Sequence, residues 1–276
     1  MSSEQEIERL HTKLLFPVVR IYAGKAAGSG TIIYSEPSGD EYETFVLTNH
    51  HVIADLISHK NEWDSVLKRK IDKEYCEIAH VEIFEYRNLS HVDSTNRYRA
   101  DIVAYDEDHD LALLKIQSPK KFEFIAKLIP RDNIKDLKLF TEIAVAGCSM
   151  AHEPFVNFGQ LTFLSEIIDQ KKYFMVNASS FFGNSGGALF LRDSGELIGV
   201  PSRITGIQIG FGVDIVTWMG FAAHSDRLYE FFDEQELQFL YNDDDTYEDA
   251  MRRRENRKKQ ALLALKAELV KESEDE

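Results

Sequence analysis

Asn177-Ala-Ser-Ser-Phe-Phe-Gly-Asn-Ser-Gly-Gly-Ala-Leu189 is the stretch on which the choice of fold turns. At its centre, Gly183-Asn-Ser-Gly-Gly187 sets one serine among small residues. Such a run predicts a tight turn, where backbone can approach a ligand and consecutive amides can converge on one point. An exposed hydroxyl beside convergent N–H donors is what acyl transfer asks of a nucleophile and its oxyanion site. The same residues satisfy the looser G-x-S-x-G elbow of a parallel α/β sheet, so the flanking sequence must decide.

Outward from the turn the chain reads as strands. Val18 to Ala23, Thr31 to Tyr34 and Thr44 to Thr48 are β-branched or aromatic runs broken by Gly, Ser, Pro and Asp. Further strands are predicted at Cys76–Arg87, Asp101–Tyr105, Leu111–Ile116, Glu142–Gly147, Phe155–Ser165, Tyr173–Asn177, Ala188–Leu191 and Leu197–Ile204. Many short strands with little helix between them predict an all-β barrel or sandwich body and argue against a doubly wound sheet. His51–His59 reads as one or two helical turns. Residues 60–75, charged with Trp63 and Leu67 as apolar points, read as a surface insertion. Helices are expected at 1–16, where Ile7, Leu10 and Leu14 share a face, and at 224–241, with Ser225 or Asp226 as N-cap. Residues 246–270 lack Gly and Pro. Their pairs Glu248–Arg252, Asp249–Arg253 and Glu255–Lys259 and the stripe Leu262, Leu265, Leu269 predict a charged helical tail. The expected units are thus 1–16, 17–241 and 242–276.

Two further segments bear on the serine. Phe45-Val-Leu-Thr-Asn-His-His-Val-Ile53 is an apolar strand running into a histidine pair, and Asp110-Leu-Ala-Leu-Leu-Lys-Ile116 opens an apolar strand with an aspartate. A serine is a poor nucleophile until a base takes its proton, and that base needs a carboxylate to orient it. The chain order is His51, Asp110, Ser185, whereas an α/β-hydrolase runs Ser, Asp, His. His224 and Asp214 lie after Ser185 and keep the α/β-hydrolase esterase as an alternative, and Asp101, Asp106 and Asp108 compete with Asp110.

On these residues, with Gly28-Ser-Gly-Thr-Ile32, Leu47-Thr-Asn-His-His-Val-Ile53, Gly195-Glu-Leu-Ile-Gly199 and Gly220-Phe-Ala222, the chain resembles the trypsin-like serine proteases of the chymotrypsin clan, most closely their HtrA/Deg-type branch. The resemblance covers about residues 17–232. It implies two six-stranded antiparallel β-barrels with the active site between them, flanked here by N- and C-terminal helices. It implies His51 as general base, Asp110 as orienting carboxylate and Ser185 as nucleophile. The oxyanion hole would be the Gly183–Asn184–Ser185 loop, with the Gly183 and Ser185 amides as donors. Ser179 would floor the primary specificity pocket, with Val200, Pro201, Ser202 and Arg203 on its wall. Ser179 carries no charge, so an uncharged P1 residue is expected. Pro201 offers no N–H where substrate backbone would pair, which narrows substrate choice or shifts the alignment by one residue.

Departures from the pattern are Ala188 where relatives carry Pro, Asn177 where they carry Asp, and the bulky Phe181-Phe182 turn. Residues 59–100 exceed a minimal relative and are expected to overhang the cleft. The 35 residues after 241 leave no room for a PDZ domain. The implied chemistry needs no metal or other cofactor. A catalytically silent, protease-like binding module is the alternative raised by Phe181-Phe182 and the insertion.

Composition sets the remaining bounds. The 276 residues carry 47 acidic and 32 basic side chains, net −15. Of that, −3 falls on 242–276 and −1 on 1–16, leaving −11 on the body. This balance excludes nucleic acid and anionic membranes as partners and favours a polypeptide substrate with basic flanks. No apolar run approaches a membrane span and no apolar leader opens the chain. Cys76 and Cys148 read as free thiols, so a cytoplasmic protein is expected. Residues 1–16 or the tail would serve any homo-oligomer.

Overall fold

The computed structural model describes all residues except Met1, Lys25, Val66, Leu67, Asp275 and Glu276, and it leaves out the side chains of Lys266 and residues 268–274. Leu67 and Leu269, two of the apolar points noted above, therefore lie outside the described residues or side chains.

Helix α1 (Ser3–Leu10) is closed by a capping box in which the Ser2 hydroxyl accepts from the Gln5 amide, and a π-helical turn continues it over His11–Leu15. Strands β1 (Val18–Ala23), β2 (Ala26–Ser38) and β3 (Glu41–Thr48) lead into the short helix α2 (His50–Ile53). A hairpin follows, β4 (Ile57–Asp64) and β5 (Arg69–Cys76), and then β6 (Ala79–Arg87), β7 (His91–Asp106) and β8 (Leu111–Ile116). The first barrel closes in the order β1-β2-β3-β8-β7-β6. The second is built from β9 (Glu142–Gly147), β10 (Phe155–Ile168), β11 (Lys171–Val176), β12 (Ala188–Leu191), β13 (Leu197–Ile209) and β14 (Gly212–His224), closing in the order β10-β11-β14-β13-β12-β9. All twelve barrel strands pair antiparallel. This overturns the α/β-hydrolase alternative. His224 is buried and stacked on Phe174, while Asp214 is exposed on an outlying hairpin.

The strands nearest the cleft are apolar without alternation because both of their faces are buried. In β8, Ala112, Leu114 and Ile116 point into the first barrel's core, and Leu111 and Leu113 join the layer between the barrels. In β3, Val46 points inward, with Phe45 and Leu47 in that same layer. In the second barrel, Val145 and Leu189 fill the interior, and Ala144, Ala146, Ala188 and Phe190 face the first barrel. The shared layer is completed by Phe231 and Phe232 of helix α3 (Ser225–Glu234) and by Phe239. Burying side chains of this size contributes about 1.5–3 kcal/mol each, so the layer fixes the cleft's geometry.

Three local expectations are corrected. Only 50–56 is helical after β3; from Ile57 the chain is a strand. Residues 79–100 of the supposed insertion are barrel strands, so the extra element is the β4–β5 hairpin alone. The N-cap of α3 is His224, whose Nδ1 accepts from the Asp226 amide at 3.1 Å. The tail is helix α4 (Tyr247–Glu274). Of the three ion pairs expected on it, Glu255–Lys259 forms at 3.5 Å, while Arg253 turns to Asp245 and Arg252 pairs with Asp249.

Candidate active site

Strand β3 ends at Thr48, and Asn49 begins the turn into α2, so His51 projects from a one-turn helix held by Val52 and Ile53 in the first barrel's core. Its Nδ1 lies 2.9 Å from both carboxylate oxygens of Asp110, and its backbone N–H donates to Oδ1 at 3.1 Å. Asp110 reaches this position from a left-handed backbone (φ 53°) just before β8. Asn49 Nδ2 anchors that backbone by donating to the Asp110 carbonyl at 2.7 Å. The competing residues are engaged elsewhere. Asp106 accepts from the His109 amide, Asp101 accepts from Gln117, and Asp108 faces Lys171. His50 stacks on Tyr105 with ring centroids 5.2 Å apart. The structure therefore separates the histidine pair by direction.

Ser185 sits across the cleft in a loop that only glycine permits at two points. Gly186 has φ 83°, and a Cβ there would meet Thr48 Oγ1 at 2.2 Å and the Ser29 carbonyl at 2.3 Å. Gly183 has φ 96° and packs against the Cys148 carbonyl and the Met150 amide. The Phe182 carbonyl accepts from Met150 N–H at 2.8 Å. Across that trans peptide, the Gly183 N–H must point to the opposite side. Among the described residues, neither the Gly183 nor the Ser185 amide donates to a protein acceptor, so both are available to a ligand. The Asn184 amide is not, because it donates to the Phe181 carbonyl at 3.1 Å. Its buried side chain accepts from Ser149 Oγ, so Asn184 shapes the loop from behind. Among the described residues no hydrogen bond joins the Ser185 hydroxyl to His51.

Beside His51 and Asp110 lies a cavity of about 450 Å³, lined also by Lys171, Tyr173, Ser202 and Arg203 among others. Ser202 Oγ is buried there without a hydrogen-bond partner. Arg203 donates to Asp169 at 2.7 Å, a bond that raises the guanidinium pKa further. Two of the expected wall residues lie elsewhere. Val200 is fully buried in the layer between the barrels. Pro201 faces Ala222 within the sheet, and its carbonyl accepts from the Gly186 amide at 3.0 Å. The edge of β13 open to the cleft thus begins at Ser202, one residue later than Pro201. The Ser179 carbonyl accepts from Asn157 Nδ2 at 3.0 Å, and Phe181 and Phe182 are both exposed. Asp106, His109 and Glu234 bring ligand-type atoms within 4.8 Å of one another. Burial pushes the Asp106 carboxyl up, yet the hydrogen bond from the His109 amide and the His109 ring 3.1 Å away hold it below its usual range.

The contact that sequence reasoning missed is Ser29. Fully buried in β2, its Oγ donates to the Gly183 carbonyl at 2.6 Å and accepts from the Cys148 amide at 2.7 Å. Its own amide donates to the Ser185 carbonyl at 2.9 Å. One residue of the first barrel thereby holds both ends of the second barrel's Gly183–Ser185 turn. The available signal was a hydroxyl between two glycines at Gly28-Ser-Gly30.

A trypsin-like peptidase domain model matches residues 28–200. No curated protein matches the chain. Among solved structures, Deg5 aligns with a TM-score of 0.57 at 22% identity, covering 83% of this chain and 94% of that one. A serine endoprotease from Yersinia pestis aligns with a TM-score of 0.53 at 20% identity, covering 85% of this chain and 66% of that one. At these identities the two neighbours speak for the fold. The family match spans more than half the sequence and runs through the serine turn, the histidine and the aspartate, and by it the chain belongs to the trypsin-like peptidases.

Proposed function

We propose that the protein is a serine endopeptidase acting through His51, Asp110 and Ser185. The observation that carries this reading is His51 Nδ1 seated on both Asp110 oxygens at 2.9 Å, with the unengaged Gly183 and Ser185 amides across the cleft. Asp110 fixes the tautomer that leaves His51 Nε2 as the base. That base takes the Ser185 Oγ proton as Oγ bonds to the scissile carbonyl carbon. The two amides hold the carbonyl oxygen as it becomes anionic. His51 then returns the proton to the leaving amine, and water repeats the sequence to release the acyl group. The substrate is a polypeptide, and with Ser179 near the primary pocket its P1 residue is uncharged. The catalytic unit is 17–241, and the free thiols Cys76 and Cys148 favour a cytoplasmic setting.

A second reading, a silent binding module, is favoured by one observation, the absent bond between Ser185 and His51. Catalytic hydrogen bonds are often long without substrate and tighten in the complex, so the absence does not outweigh the rest of the arrangement. Turnover of a peptide library decides between the two. The peptidase reading expects cleavage that Ser185→Ala and His51→Ala each reduce by at least about 10³-fold. A folded wild-type protein that cleaves nothing, or a His51→Ala protein with full activity, overturns it.

A further inference from the structure

The two strands that border the cleft in the second barrel extend past it. Thr205 to Ile209 of β13 continue opposite Gly212 to Val216 of β14 as a two-stranded ribbon. β12 pairs with β13 only at Leu197 and Gly199, and β11 pairs with β14 only over Gly220–Ala223. Among the described residues, both outer edges of the ribbon therefore lack a strand neighbour. Its composition departs from the rest of the chain. Residues 204–218 hold a single charged residue, Asp214, in a protein whose residues are 29% charged. Ile207 is about half exposed, Ile209 and Val213 more than half, and Phe211 at the tip is fully exposed. In the register, Ile207 stands opposite Asp214 and Val213 opposite Gln208. Cross-strand partners share a face and neighbours alternate. Ile207 and Ile209 therefore cover one face, and Val213 and Ile215 the other.

A ribbon with two open edges and apolar residues on both faces is an association site by its physics. We propose that it is a docking arm for an extended apolar segment of the polypeptide to be cleaved. The proposal rests on the peptidase reading and names its substrate class. Continuity with the cleft selects this occupant. The Pro201 carbonyl is tied to the Gly186 amide of the serine loop, and Ser202 and Arg203 line the cavity that holds His51. A chain added to the open edge of β13 at Ile209 is therefore led back to Ser185. Added antiparallel, like every strand pair in both barrels, the guest lies N-terminal to its scissile bond. Seven residue steps from Ser202 to Ile209 span about 23 Å, so the guest residues on the arm are about four to eight positions before the cleaved bond. An edge-paired guest sends alternate side chains to opposite faces. With both faces apolar, the arm accepts an apolar segment in either phase, which suits unfolded chains better than one fixed sequence.

The test uses the full-length Ser185→Ala protein and fluorescent peptides of about twelve residues. One peptide carries Val and Leu four to eight positions before the cleavage site, and the other carries Ser and Asn there. Fluorescence anisotropy is expected to show the apolar peptide binding about tenfold tighter. Adding Ile209→Ser, Phe211→Ser and Val213→Ser together should remove that preference. Phe211→Ser alone, at the exposed tip, should remove part of it should the triple variant misfold. Equal affinity for the two peptides, or an unchanged preference in a folded variant, overturns the proposal. So does sedimentation showing that the variant dissociates an oligomer while peptide affinity stays the same, since the arm then binds a second copy. A short tetrapeptide reporter left uncleaved by the wild-type protein would sink the peptidase reading, and the binding comparison would still decide the arm.

Discussion

Ser29 joins the two halves of the site through hydrogen bonds to Gly183, Ser185 and Cys148. Ser29→Ala leaves the Cys148 N–H and the Gly183 carbonyl buried without this partner, which costs about 1–3 kcal/mol. In the proposed mechanism the Gly183 peptide supplies one oxyanion donor, so kcat should fall about 10- to 100-fold while KM changes little. Steady-state kinetics beside a urea melt check this; a loss of stability with unchanged kcat would show a purely structural role. Asp110→Asn should preserve the fold and lower kcat by about 10⁴-fold, because the amide no longer fixes the His51 tautomer. Equal kcat in the two proteins would contradict the assignment. His51, Asp110 and Ser185 could be proposed as a set from the sequence because acyl transfer demands those residue types in a recognisable order, and the structure brings His51 and Asp110 into contact. Ser29 and Asn49 could not be, because their roles depend on reaching segments 154 and 61 residues away. Cys148, behind the same loop, is held protonated by burial, its thiol pushed up to about 12, so its sulfur is inert there.

Helix α3 carries a pH dependence at its N-cap. Burial lowers His224 from 6.5 to about 4, against the opposing pull of Asp226 and with support from Lys172 and Arg227. In the folded protein His224 is thus neutral, and its Nδ1 is free to accept from the Asp226 amide. The unfolded chain binds the proton more tightly. The stabilisation is therefore fully present above pH 6.5 and is lost as pH falls from there through about 4. The loss should be on the order of 3 kcal/mol. His224→Asn, which keeps an acceptor at the cap, should flatten the denaturation midpoint over that window; an unchanged slope would remove His224 as its cause. Helix α4 docks through its first half. Ala250 is buried, and Arg254 donates to the Gln235 and Val103 carbonyls at 2.6 and 2.7 Å. Arg254→Ala should cost about 1.5–3 kcal/mol, visible as a lower melting temperature, and an unchanged melt would show the docking to be incidental. At this scale, the apolar runs of β3, β8 and β12 were readable because burial on both faces leaves a continuous signature. The β4–β5 hairpin was not. Its strands are mostly exposed and charged, so no face carries a hydrophobic period. Most of β7 was hidden for the same reason, since His91–Arg99 alternates between exposed and half-buried positions with polar residues in both.

In the whole molecule, the layer shared by the barrels sets the cleft, and the barrels contribute different parts of it. His51 and Asp110 come from the first and the serine loop from the second, so the site exists only when both are docked. The two-barrel architecture was legible through strand count and family resemblance. The pairing across the layer was not, because it depends on which face of each doubly buried strand looks outward. Net charge acts at this scale too. With −11 on the body, a lysine-flanked peptide should be drawn to the cleft more strongly than a neutral one. Its kcat/KM should fall roughly threefold to tenfold as salt rises from about 20 to 300 mM, while the neutral peptide's stays level. Matching salt dependences would assign the acidity to solubility alone. The central claim is that Ser185 is a nucleophile activated by His51 and Asp110, and active-site labelling tests it most directly. A fluorophosphonate probe followed by peptide mapping should place one adduct on Ser185, with labelling lost in Ser185→Ala and strongly slowed in His51→Ala. A folded wild-type protein that takes no label, or an adduct on another residue that persists in Ser185→Ala, would contradict the account.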